Sequence, residues 1–187
     1  MISTAIFDLE TTSLEGDRGI ILCACIQSST TGKIETIRTD DLNPGWKRGR
    51  RGDDSETVRR IVKSLTAHDV LVAHNGSRFD MPFLRTRMAR WGMDRLPDMK
   101  LVDPCSIAWR KLRLRSNSLG AIADHIGLRD KKTPLDMSTW ADAMLNGSRP
   151  AMDLIVKHCV ADVKVLAGVL KLVKPYVKLL DDRGSSL

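Results

Sequence analysis

Asp8 and Glu10 stand two residues apart in the run Ile6-Phe7-Asp8-Leu9-Glu10-Thr11-Thr12. On an extended strand that spacing turns both carboxylates to one face. Two acids held close repel each other, and taking them out of water costs free energy unless a cation lies between them. Oxygen ligands of this hardness suit Mg²⁺ or Mn²⁺. Taken alone, an Asp-x-Glu pair reads as a solvated strand end. Its surroundings have to decide.

Other residues point to a polyanionic partner. Lys and Arg outnumber Asp and Glu by 30 to 23, a net charge of +7. The surplus serves solubility or nucleic acid equally well. Part of it gathers in two clusters. Lys47, Arg48, Arg50 and Arg51 follow Trp46, and Arg110, Lys111, Arg113 and Arg115 follow Trp109. Each reads as a phosphate-gripping segment with one aromatic or as a solvated surface. Lys131 and Lys132 are a lesser candidate. Aromatic residues make up only 4% of the chain, so a site for one strand end fits better than a long stacking groove.

The elements that must position Asp8 and Glu10 follow from periodicity. A β-type run from Ile2 to Leu9 is followed by a second strand over residues 19–27, a turn at Thr31-Gly32 and an alternating strand over residues 33–39. Residues 40–54 read as a loop. Asp53, Asp54 or Ser55 caps a helix whose buried stripe is Val58, Ile61, Val62 and Leu65. Residues 69–73 form a short apolar strand of the kind buried in a parallel sheet. His74 to Ser77 turns the chain into a helix over residues 80–91, stopped by Gly92. Leu101-Val102 is a short strand, and helices follow over residues 118–126 and 138–145. Ser148 and Pro150 open a long last helix with Ile155, Val156, Cys159, Val163, Leu166 and Leu170 inward. Residues 181–187 read as a frayed tail after a single domain over residues 1–180.

Cys23, Cys25, Cys105 and Cys159 offer no zinc spacing and read as buried free thiols in a reducing compartment. The N-terminus lacks the regions of a signal peptide, and no stretch is long and apolar enough for a bilayer. The expectation is a cytoplasmic protein, in a host cytoplasm if viral.

The strand bearing Asp8 and Glu10 onto Thr11-Thr12 resembles the first motif of the DEDD 3′→5′ exonucleases. His74-Asn75-Gly76-Ser77-Arg78-Phe79-Asp80 resembles their second motif, which carries Asn-x-x-x-Phe-Asp. His158-Cys159-Val160-Ala161-Asp162 resembles the third. The order is right, and residues 118–123 with Gly127-Leu128 resemble the proofreading domains of family-B DNA polymerases.

The resemblance implies an α/β, ribonuclease H-like fold with a mixed five-stranded sheet and helices on both faces. It implies two divalent ions, Mg²⁺ or Mn²⁺, about 4 Å apart. Asp8 bridges them, Glu10 and Asp162 hold the ion that activates water, and Asp80 serves the other through water. The implied reaction releases nucleoside 5′-monophosphates from the 3′ end of DNA or RNA. Thr11, Asn75, Phe79, Arg110 and Lys111 are the candidate substrate contacts. Asn75 reads equally as a turn residue, Phe79 as core packing, and His74 as a local structural histidine. A replication or repair partner in trans, or a silent end-binding module, are the other readings.

The fifth position departs from the pattern. The family places a His five residues before its last Asp, or a Tyr four before it. Here His158 lies four before Asp162. That spacing puts both on one helical face. An imidazole is shorter than a phenol by about 2 Å, yet it is a competent base near neutral pH.

Overall fold

The computed structural model describes residues 2–128 and 135–177. β1 (Thr4–Thr11), β2 (Ile21–Ser28) and β3 (Ile34–Arg38) form an antiparallel meander. β4 (Val70–Val72) and β5 (Lys100–Val102) add in parallel beyond β1, giving the order β3-β2-β1-β4-β5. β1 is therefore the central strand, and the period-two alternation of its side chains divides the core. Ala5, Phe7 and Leu9 pack into one apolar cluster with α2 (Ser55–Leu65) and α3 (Asp80–Arg90). Ile6 points the other way, into the cluster under α7 (Arg149–Val173). Asp8 and Glu10 are in phase with Ile6, so the strand aims both carboxylates at α7. The pairing with β2 shifts register between Glu10 and Thr11, a bulge of the kind that re-aims side chains at strand ends.

The strands, both expected faces of helices and the long last helix all lie where the sequence places them. α7 starts with Ser148 accepting from the Ala151 amide and with a proline in its first turn. Among the described residues no helix is long and apolar enough to cross a membrane. Lys131, Lys132 and residues 181–187 lie outside the described residues.

Two expectations need correction, and one segment left unassigned gains a helix. Residues 40–54 are not a plain loop, because α1 (Thr39–Leu42) and a 3₁₀ turn (Trp46–Arg48) lie there. Trp46 is not an exposed aromatic for a nucleic-acid chain. It is 2% exposed and packs into the α7-side core, since so large an apolar surface gains more from burial than a flexible loop gains from holding it out. Nor is the segment after β5 without structure. α4 (Pro104–Lys111) runs there, before α5 (Leu119–His125) and α6 (Met137–Asn146). Cys23, Cys25 and Cys159 are buried free thiols as expected, while Cys105 is half-buried.

Asp54, one of three candidate caps for α2, does something else. Its side chain makes no capping bond, and Asp53 accepts from the Ser55 amide instead. The Asp54 carboxylate is 1% exposed. It accepts from the Ile21 amide at 2.9 Å, Trp91 Nε1 at 2.7 Å and Arg87 Nη2 at 2.8 Å. One carboxylate thus ties β2 to α3 across the start of α2. Asp54→Ala should cost about 3–5 kcal/mol, because it strands the Arg87 guanidinium in the core. Urea unfolding measures this, and a loss below about 1 kcal/mol would show the pair to be energetically idle.

Candidate active site

The carboxylate cleft is built from three elements. β1 supplies Asp8 and Glu10, the N-terminal turn of α3 supplies Asp80, and the middle of α7 supplies His158 and Asp162. These five line one cleft of about 450 Å³ together with Leu9, His74, Asn75, Phe79, Leu135 and Trp140. The sequence motifs, separated along the chain, therefore converge on one place.

Burial makes the electrostatics severe. Asp80 is 3% exposed, Asp162 4% and Glu10 9%. The Asp80 Oδ1 accepts from the Leu9 amide at 3.2 Å, which locks α3 to the strand that bears Asp8. Burial, and then the charge of Asp8, push the Asp80 carboxyl well above its ordinary value of 3.8. Ligand atoms of Asp8, Glu10 and Cys159 lie within 4.8 Å of one another. Such closeness of like charges is what a divalent cation relieves. The two carboxylates are the kind of oxygen donor that a hard divalent ion takes.

Behind the carboxylates lies a floor of thiols. Cys25 pairs with Asp8 and Cys23 with Glu10 across the β1–β2 ladder. Cys159 Sγ donates to the Asp8 carbonyl at 3.4 Å. Burial, and then contact with the Cys23 and Cys25 thiols, push Cys159 far above an ordinary thiol. It stays a neutral, packed S–H.

His158 occupies the position the sequence left open. Its Nε2 is 3.8 Å from Glu10 Oε1 and 3.8 Å from Asp162 Oδ2. Both separations exceed a direct hydrogen bond and fall within reach of an ion pair when the imidazole is protonated. Trp140 stands edge-on to the imidazole, with ring centroids 6.4 Å apart. The shorter side chain therefore reaches the carboxylates that the resemblance assigns to the water-activating ion.

The turn between β4 and α3 is held in an unusual shape. Asn75 has φ of +59°, a left-handed conformation that asparagine tolerates better than most residues. At Gly76 a Cβ would fall 2.3 Å from the Cβ of Ala73, so only glycine lets the chain fold back there. Asp103 fastens the turn. Its carboxylate accepts from the Asn75 amide at 2.9 Å and from the Ser77 hydroxyl at 2.5 Å. The same carboxylate caps α4 by accepting from the amides of Cys105 and Ser106. Burial opposes this charge, but the bonds from Ser77, Ser106 and Asn75 outweigh it and hold the carboxyl below its ordinary value.

The sequence reading missed Asp103 and Trp140. Asp103-Pro104 after a strand carries a helix-start signal, a capping acid followed by a first-turn proline. Trp140 carries no signal beyond its place on a short helix. Of the candidate substrate contacts, Asn75 and Phe79 line the cleft. Phe79 also packs on Phe83, at 5.8 Å between centroids, so its core role and its place at the site coexist. His74 joins the cleft wall to the loop before α5, its Nε2 3.0 Å from the Asn117 carbonyl. Thr11 is not among the cleft residues, and its hydroxyl donates to the Ser13 carbonyl at 2.7 Å. Arg110 and Lys111 line a neighbouring recess with Ser77 and Ser106.

A central strand carrying two acids, paired antiparallel on one side and parallel on the other and faced by an acid-bearing last helix, defines a class. Residues 5–174 match the family model of the RNase_H superfamily, and the chain belongs to that superfamily, whose members of this type are nucleases. The similar proteins are polymerases. The chain is 33% identical over 69 residues to a DNA polymerase III PolC-type of Ureaplasma parvum, covering 37% of this chain and 5% of that protein. It is 27% identical over 97 residues to a DNA polymerase of Methanocaldococcus jannaschii, covering 50% of this chain and 6% of that one. Its fold matches the family B DNA polymerase of Pyrobaculum calidifontis with a TM-score of 0.73 at 17% identity, over 94% of this chain and 25% of that chain. The chain thus spans only a small part of each relative.

Proposed function

We propose that the protein is a divalent-metal-dependent 3′→5′ exonuclease that releases nucleoside 5′-monophosphates from DNA or RNA. The observation that carries this reading is the convergence of Asp8, Glu10, Asp80 and Asp162 on one cleft with an imidazole beside them. A module that only holds strand ends has no use for four carboxylates gathered at that cost in repulsion. The similarity to DNA polymerases supports a nucleic-acid substrate.

Bound at these carboxylates, two Mg²⁺ or Mn²⁺ ions would lower the pKa of the attacking water and stabilise the leaving 3′-oxygen. The remaining work belongs to side chains. Glu10, Asp162 and His158 surround the place where the attacking water sits, and His158 takes its proton through Nε2. Asp80, braced on the Leu9 amide, holds the leaving-group side. Asn75 and Phe79 position the terminal nucleotide against Asp8. The rim of buried Leu9 and half-buried Phe79 and Trp140 limits bulk water around the reacting phosphate.

The test is direct. End-labelled single-stranded and duplex DNA and RNA are incubated with Mg²⁺, Mn²⁺ or chelator, beside Asp8→Ala. The expected result is stepwise shortening from the 3′ end that requires both metal and Asp8. Cleavage at internal sites, or shortening that survives chelation, would overturn the proposal.

A further inference from the structure

We infer that the single-stranded part of the substrate leaves the carboxylate cleft over the cationic end of α4 and the segment beyond it, Trp109 to Arg115. The inference rests on the nuclease reading and adds the path and form of the substrate.

Three observations converge on this surface. The first is unspent charge. Arg110, Lys111, Arg113 and Arg115 are all exposed. Their side chains form no hydrogen bond or ion pair with another described residue, and the same holds for exposed Arg78 on the turn before α3. Several cations elsewhere are committed. Arg38 and Arg149 pair with Asp40 and Asp153, and Arg87 pairs with Asp54. Half of the rival basic loop is committed too, leaving Lys47 and Arg50 exposed. Arg51 Nη1 donates to the carbonyls of Met144 at 3.2 Å and Leu145 at 3.1 Å, closing the end of α6. Arg48 donates to the Pro44 carbonyl. The helix-end field accounts for cations at Arg110 and Lys111, but Arg113 and Arg115 lie beyond that helix.

The second observation is Trp109, which is 69% exposed. The tryptophan beside the other basic cluster, Trp46, is buried, whereas Trp109 is left in water. An exposed indole among cations is a platform for an unpaired base. A base inside a duplex offers it no free face, which favours a single strand.

The third is mechanical continuity with the site. Asp103 binds the Asn75–Ser77 turn with one end of its bonding and caps α4 with the other. His74, in the cleft wall, holds Asn117 at the far end of the cationic segment. A recess of about 450 Å³ lined by Ser77, Asp103, Ser106, Arg110 and Lys111 joins the Asn75–Ser77 turn to the end of α4. The surface is therefore fixed relative to the scissile phosphate, as a strand guide must be.

The experiment uses the full chain and compares wild type with Arg110→Gln/Lys111→Gln/Arg113→Gln/Arg115→Gln on a dinucleotide and a twelve-nucleotide single strand. The length advantage, kcat/KM of the long substrate over the short one, should fall about tenfold or more, and the salt slope of binding should flatten by about 3. Quenching of indole fluorescence by the long strand should be lost in Trp109→Phe. Binding is also read by anisotropy in Asp8→Ala, where no cleavage occurs. An intact length advantage and salt slope overturn the inference. So does a blunt duplex that binds as tightly as the single strand. If wild type binds the strand with the expected slope but cleaves neither substrate, the nuclease reading fails and the surface stands.

Discussion

Asp80→Asn should slow hydrolysis sharply while making the metal-free protein more stable. The loss of a group that serves a metal through water costs about 10–100-fold, and in the proposed function Asp80 has that place. A drop of about 10–100-fold is therefore the expected kinetic effect. The gain in stability follows from the carboxylate's surroundings. Asp80 is nearly fully buried, and burial and Asp8 both favour its protonated form. A carboxyl whose folded pKa is raised contributes stability that is fully present below its ordinary value of 3.8 and is lost as pH rises through the folded value. In chelator at neutral pH the native state carries that loss. An amide keeps the bond from the Leu9 amide and removes the charge. Thermal unfolding in chelator from pH 4 upward, run on both proteins, should show wild type falling away from the variant as pH rises. Added Mn²⁺ should raise the melting temperature of wild type and not that of the variant. Parallel pH curves in chelator would remove the buried-charge argument, and full activity would remove Asp80 from the site.

His158→Ala should lower turnover at saturating metal about 100-fold, near the lower end of what a positioned proton acceptor supplies. Metal affinity should hardly change, because a hard Mg²⁺ or Mn²⁺ takes carboxylate oxygens in preference to imidazole. The two readouts separate the roles. Turnover against pH, with metal saturating, should lose its dependence in the neutral range. Mn²⁺ titration of the same variant should superimpose on wild type. Unchanged turnover across neutral pH would reduce His158 to a residue that merely lines the cleft beside Trp140.

Much of this was legible because its physics is local. Asp8 and Glu10 declare themselves by a two-residue spacing in an apolar strand. Ser148 and Pro150 mark the start of α7, and the 25-residue length of that helix makes its stripe unmistakable. What stayed hidden was tertiary. Trp46 sits among basic residues that suggest exposure, and only the packing under α7 shows that the ring turns inward. Asp54 has the type and place of a cap, yet Arg87 and Trp91 arrive from α3 and claim its carboxylate. α4 is short and half-exposed, so its stripe is weak, although Asp103-Pro104 marked its start. The reach of His158 depends on how closely α7 approaches β1, which no spacing rule contains.

That approach carries a consequence in time. The contact between Cys159 and the Asp8 carbonyl joins residues 151 positions apart. A closure so distant in sequence is entropically expensive and belongs late in folding. A chain made from its N-terminus onward possesses Asp8, Glu10 and Asp80 well before it possesses Asp162 and His158. Until α7 docks, the half-built cleft lacks Asp162 and His158, the groups proposed as metal ligand and proton acceptor. An unfinished or misfolded copy is thus disarmed by construction, and a cell holding many nascent chains beside its own nucleic acid gains a safeguard from chain order alone.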